Sequence, residues 1–166
     1  DVYKRQGIAR TFQNLELFEN ATVLQNLLLG RHIFKKTNFL NEMFHTPKVR
    51  KGEMDHRLKV EEVIDFLDLQ HYRDTLINAL PYGVRKNVEL ARALCTSPKI
   101  LLLDEPSSGL TNEETNDLGF WIKDIQSILK ITIIMIEHDM SFVNKVSDRI
   151  LAVSYTHLTL PTRRGG

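Results

Sequence analysis

The sequence predicts an α/β fold, a parallel sheet covered by helices with a helical subdomain inserted between sheet elements. Ile100–Leu103 is an unbroken run of large apolar residues that ends at Asp104 and Glu105, and Ile131–Ile136 is a second apolar run that ends at Glu137 and His138. Runs without alternation suit strands of a parallel sheet buried on both faces. Between them, Thr111–Glu114 reads as a capping box, and Leu118, Trp121, Ile122, Ile125 and Leu129 make one helical stripe. Strand, helix and strand in this order form a right-handed parallel crossover.

The remaining elements follow in chain order. Ile8–Phe12 is short and extended, and leads into Gln13 and Asn14. At a strand end Gln13 offers both a carbonyl oxygen and an amide donor, although a plain loop amide reads the same way. Thr22–Gln25 is a second capping box, followed by Leu24, Leu27 and Leu28 on one apolar stripe. From Gly30 to Leu80 the chain turns basic and mixed, with Pro47 and a charged helix from about Lys51 to Leu67 whose inward face is expected to hold Leu58, Val63, Ile64 and Leu67. His32, His45, His56 and His71 lie here without an i, i+4 pair and an acidic third ligand, so no metal site is expected among them. The lysines and arginines of this stretch are read as a solvated face.

Leu80–Val84 opens the next helix. Pro81 suits a first helical turn, where its missing N–H is no loss, and Gly83 allows close approach of backbone or ligand. Val84, Val88, Ala91 and Cys95 then face inward while Arg85, Lys86, Glu89 and Arg92 face elsewhere, until Ser97-Pro98 ends the helix. Amides at such a start can hold a phosphate or be capped by water alone.

Composition sets the outer bounds. The 166 residues are 42% hydrophobic and 26% charged, ordinary for one soluble domain, and the net charge of +1 gives no reason to expect a nucleic-acid partner. Cys95 is the single cysteine, so an internal disulfide is excluded. No apolar run approaches the roughly 20 residues of a membrane-spanning helix, so a membrane role has to come through a partner. The two ends read as translated adapter: Asp1–Gln6 written as GAT GTG TAT AAG AGA CAG gives, on the reverse complement from its third base, the residues Val153–His157. Residues 1–6 and 153–166 are accordingly set aside as tails, leaving 7–152 as the domain and about 22–96 as its helical subdomain.

Parallel strands end on one rim, which brings Asp104-Glu105 and Glu137-His138 together, with Gln13 as the third polar end. Adjacent carboxylates at such an edge suit a hard cation and a polarised water: one holds Mg²⁺ directly or through its waters while the other aligns the nucleophile. His138 can donate to an anionic phosphate oxygen. Read blandly, Asp104 caps the next turn, Glu105 is a solvated acid and His138 a loop histidine satisfied by backbone.

Gln13, the Leu80–Val84 stretch with Glu-Leu-Ala-Arg-Ala-Leu behind it, Leu101–Pro106, Ser108–Thr111 and Glu137-His138-Asp139 occur in the order of an ABC-type ATPase domain. They resemble its Q-loop, signature motif, Walker B, D-loop and His-switch, within a P-loop NTPase-like fold. Gly-Ile-Ala-Arg-Thr-Phe-Gln-Asn at residues 7–14 and the long insertion around Thr46-Pro47 resemble the ATPase subunits of branched-chain amino acid importers.

The resemblance implies the following roles. Asp104 and Gln13 serve Mg²⁺, Glu105 is the general base or water orienter, and His138 contacts the γ-phosphate of ATP. Pro81, Tyr82, Gly83 and Val84, with Ser108 and Gly109, approach ATP held across a dimer of two ATPase subunits. The implied partners are membrane permease subunits, a second ATPase subunit and, indirectly, an extracytoplasmic binding protein. The implied location is peripheral, on the cytoplasmic face of the cell membrane, and the implied cargo is branched-chain amino acids or related small amides. A soluble ABC-type ATPase acting on ribosomes or DNA and a non-hydrolysing scaffold are the alternatives. The chain departs from the family pattern at Pro81 and Val84, where serine and glutamine are usual, and at Thr111, where aspartate is common. No G-x-x-x-x-G-K-[ST] occurs in the sequence; the family places that loop upstream of Gly7.

Overall fold

The computed structural model describes residues 7–10, 17–31 and 47–153. Three parallel strands, β1 (Ile8–Arg10), β2 (Ile100–Asp104) and β3 (Thr132–Ile136), lie in that order with β2 in the centre. The helices are α1 (Val23–Arg31), α2 (Pro47–Phe66), α3 (Tyr82–Leu94), α4 (Asn112–Ser127) and α5 (Met140–Val146). β2, α4 and β3 form the expected strand, helix, strand unit with a parallel pairing.

Register decides which strand residues are covered. Ala9, Leu101 and Ile133 pair across the sheet and share one face with Leu103 and Met135, while Ile100, Leu102, Asp104, Ile134 and Ile136 share the other. On the first face Leu101 and Leu103 are buried, in one apolar cluster with Val88, Ala91, Leu118, Ile122 and Ile125. On the second, Ile134 and Ile136 are 54% and 58% exposed. The expectation that both apolar runs are buried on both faces is thus corrected. Among the described residues burial alternates between buried and half-buried along β2 and between half-buried and exposed along β3, so one face is covered more deeply than the other.

Local signals explain the helices. Thr22 caps α1 reciprocally: its N–H donates to Gln25 Oε1 at 2.9 Å, and the Gln25 N–H donates to Thr22 Oγ1 at 3.2 Å. α1 buries Val23, Leu24 and Leu27, with Leu28 only half-buried. It also buries Asn26, whose Oδ1 accepts the Phe18 N–H at 2.9 Å and whose Nδ2 donates to Thr22 O at 3.0 Å. A buried amide is tolerated because its partners are all supplied, and here it folds the preceding turn onto the helix. α2 starts at Pro47, earlier than expected, its inward face is Val60, Val63 and Ile64, and Leu67, one residue past its end, is buried with them. Leu58 is exposed, a correction with a geometric cause: two residues from Val60 is about 200° around the helix. Leu129 is exposed as well, because α4 ends at Ser127.

Polar ties lock the helices together. The Arg73 guanidinium forks onto Glu61 of α2, an ion pair that holds the Glu61 carboxyl below its usual range. Arg31 Nη1 donates to Cys95 O at 2.9 Å and Ser97 Oγ at 3.0 Å, joining α1 to the end of α3. Phe66 and Trp121 meet at 6.2 Å between ring centroids, joining α2 to α4.

Candidate functional site

The end of β2 delivers two carboxylates to the rim in different ways. Asp104 is the last strand residue and lies, half-buried, on the same sheet face as Ile100 and Leu102. Glu105 carries the ladder one step further, its N–H donating to Ile136 O at 2.9 Å, which fixes it beside the end of β3. Its φ of +47° lies in the left-handed region, a conformation costing a non-glycine residue about 1–3 kcal/mol and retained only where the surroundings over-determine it. From there the chain turns tightly, with the Ser108 N–H donating to Glu105 O and the Leu110 N–H to Ser107 O, both at 3.1 Å.

β3 delivers the third group. His138 Nε2 stands 3.1 Å from Glu105 Oε1, so the predicted convergence of strand ends is a direct side-chain contact. The imidazole is 80% exposed and the carboxylate 30%, which leaves the histidine accessible from solvent while Glu105 is more sheltered. Asp139 then caps α5, its Oδ1 accepting the N–H groups of Ser141 at 2.9 Å and Phe142 at 3.2 Å. Hydrogen bonding from Ser141, chiefly, and from the Phe142 amide holds the Asp139 carboxyl below its ordinary value.

The start of α3 meets the loop after β2. Pro81 is its exposed N-cap and Tyr82 its first residue. The Tyr82 hydroxyl donates to Ser108 O at 3.3 Å, and its ring lies so close to Gly109 that a Cβ there would be 3.0 Å from Tyr82 Cε1. Gly109 also has φ +78°, so ring and backbone both demand glycine. Gly83 is buried against Glu114: a Cβ on it would sit 2.1 Å from Glu114 Oε1. Glu114 closes the predicted capping box, its Oε2 accepting the Thr111 N–H at 2.8 Å. Val84 turns toward the core and is half-buried.

Of the candidate residues, Glu105 and His138 meet at the rim where Asp104 ends β2, and Tyr82, Gly83, Ser108 and Gly109 lie together one loop away. Gln13 lies outside the described residues. Asp104 is a hard oxygen donor of the kind Mg²⁺ takes alongside water and phosphate oxygens, so the donor chemistry fits that ion. Sequence reasoning put Glu137 on the rim without a task, whereas the structure engages both its oxygens with backbone amides. The readable signal was a carboxylate at a strand end next to a tight loop whose amides need acceptors.

The ABC transporter family profile matches residues 2–108, well over half of the chain. The chain belongs to the ABC transporter family. The resemblance seen in the motifs is thereby borne out, and the chain spans 59% of the length of the first curated relatives it matches. It is 37% identical over 150 residues to the high-affinity branched-chain amino acid transport ATP-binding protein BraF of Pseudomonas aeruginosa, covering 90% of this chain and 59% of that protein. It is 35% identical over 150 residues to the corresponding protein LivG of Escherichia coli, with the same coverage of 90% and 59%. Among solved structures it superimposes on the ADP conformation of an ATP-binding cassette of an ABC transporter with a TM-score of 0.69 and 33% identity, covering 86% of this chain and 56% of that one. Among the described residues of this ABC chain, no helix is long and apolar enough to cross a membrane.

Proposed function

We propose that this chain is part of the ATP-binding and ATP-hydrolysing subunit of an importer for branched-chain amino acids or related small amides, acting at the cytoplasmic face of the membrane through permease subunits. The observation that carries the reading is the Glu105–His138 contact of 3.1 Å at the end of two parallel strands, with Asp104 beside it. The names of the relatives, branched-chain amino acid transport ATP-binding proteins, support the cargo and the role in transport.

Asp104 and Gln13 would hold Mg²⁺, which when bound supplies positive charge against the phosphate oxygens. Glu105 accepts the proton of the attacking water and aligns it, a task worth about 10²–10⁴-fold in rate. His138, whose Nε2 meets Glu105 here, would turn that nitrogen from the carboxylate to the γ-phosphate and donate to it when nucleotide is bound. Behind the Pro81 cap, Tyr82, Gly83 and Val84 would present the backbone N–H groups of the first turn of α3 to ATP on a second subunit, and Tyr82 links that turn to Ser108 and Gly109. Work of this kind is positioning and charge stabilisation. The chain carries no G-x-x-x-x-G-K-[ST], so ATP should leave the melting temperature of these 166 residues alone unchanged; a rise of several degrees would refute that.

The complete subunit, read from its source gene and reconstituted in vesicles with its neighbouring permease subunits and binding protein, tests the reading. ATP-driven uptake of leucine, isoleucine or valine supports it. ATP hydrolysis without uptake of any of the three removes the cargo, and absence of hydrolysis removes the enzyme.

A further inference from the structure

The loop that carries Glu105 is strained at its first residue, yet the structure holds Glu105 and His138 in contact. The ladder bond from the Glu105 N–H to Ile136 O accounts for one side of Glu105, and the turn bond from the Ser108 N–H to its carbonyl accounts for the other. Between them lies Ser107, whose amide is not used by either bond. It donates to Glu137 Oε1 at 2.8 Å. Glu137 Oε2 accepts the His138 N–H at 3.1 Å. One carboxylate therefore takes an amide from each of the two loops that carry the reacting side chains.

We propose that Glu137 is a positioning residue for hydrolysis: its carboxylate clamps the loop after β2 to the loop after β3 and so sets the Glu105–His138 distance. The inference rests on the ATPase reading above and deepens it. Both Glu137 oxygens are engaged with backbone, which makes it a brace and leaves the base to Glu105. Ionised acceptors make shorter and stronger hydrogen bonds to amides than neutral ones, so a carboxylate is suited to holding a strained turn. Asp and Gln are each deficient here. An aspartate is one methylene too short to span both amides, and a glutamine offers one oxygen to one amide while its NH₂ faces the other donor.

The test uses the complete subunit with Glu137→Ala, Glu137→Gln, His138→Ala and the Glu137→Ala/His138→Ala pair. Loss of the brace is expected to lower kcat about 10- to 100-fold, the scale of a 1 Å misplacement, with KM for ATP unchanged. Glu137→Gln should fall less, because one amide keeps its acceptor. In the His138→Ala background Glu137→Ala should cost far less than in the wild type, because the brace acts through the pair it positions. An unchanged kcat in Glu137→Ala, or the same fold loss in both backgrounds, would overturn the proposal. Amide exchange at Ser107 and His138 reads the brace without catalysis. Both amides should lose protection in Glu137→Ala, or in Glu137→Gln if the alanine variant does not fold, and unchanged protection overturns the clamp. A wild-type subunit that hydrolyses no ATP would instead sink the ATPase reading, with the exchange result still deciding the clamp.

Discussion

Substituting Gly83 by alanine tests how tightly the start of α3 is fitted to the start of α4. The added methyl would lie 2.1 Å from Glu114 Oε1, 2.6 Å from its Cδ and 3.1 Å from its Cγ. Only the end of one side chain stands in the way, so the carboxylate can yield, but a normal contact requires it to retreat by about 1.5 Å. That movement breaks the bonds Glu114 Oε2 accepts from the Thr111 N–H at 2.8 Å and the Thr111 hydroxyl at 3.0 Å. Losing this half of the capping box costs about 1 kcal/mol. Against it stands the helix preference for alanine over glycine, at most about 1 kcal/mol and less in the first turn.

The single variant should therefore be neutral to about 1 kcal/mol less stable, and the sign should change with the partner. In a Glu114→Ala background the obstruction is gone, and Gly83→Ala should become neutral or stabilising. A double-mutant cycle by urea unfolding of the complete subunit then gives a coupling of about 1 kcal/mol between the two sites. Additive effects within about 0.3 kcal/mol would refute the reasoning, because they would mean that Gly83 and Glu114 do not meet.

Two further outcomes follow from titratable groups. Asp139 has its carboxyl held below the ordinary value of 3.8 by its bonds to Ser141 and the Phe142 amide, so its stabilisation of α5 is complete above that ordinary value and is lost as pH falls through the lowered one. An NMR titration of the Ser141 and Phe142 amides should show a midpoint below the ordinary aspartate range, and Asp139→Asn should abolish it; a midpoint at or above that range contradicts the cap. Burial, opposed by Arg31 and Lys59, pushes the Cys95 thiol up to about 12. A thiol reagent at pH 8 should label the folded subunit no faster than it unfolds, and rapid labelling under native conditions would contradict the buried, protonated state.

Much of this architecture was readable because the signals were local. Both capping boxes, at Thr22 and Thr111, formed as written, and so did the parallel pairing of the two apolar runs, since spacing and end residues fix them without reference to the rest of the chain. What failed depended on partners. Ile134 and Ile136 carry the apolarity of a doubly covered strand, and apolarity cannot say whether a cover is present. Leu58 and Leu129 fit a stripe on paper and missed it by a rotation or by a helix that stopped early. At the site, the meeting of Glu105 and His138 where Asp104 ends β2 followed from strand direction alone. The brace from Glu137 to Ser107 did not, because a carboxylate at a strand end signals an acceptor without saying which amide of the neighbouring loop it will take.

The most direct measurement is single-turnover ATP hydrolysis by the complete subunit and its Glu105→Gln variant, with nucleotide binding followed in parallel. The variant is expected to hydrolyse ATP about 10²–10⁴-fold more slowly while still binding it, because only the group that accepts the proton of water has been removed. Hydrolysis by Glu105→Gln at the wild-type rate would contradict that role.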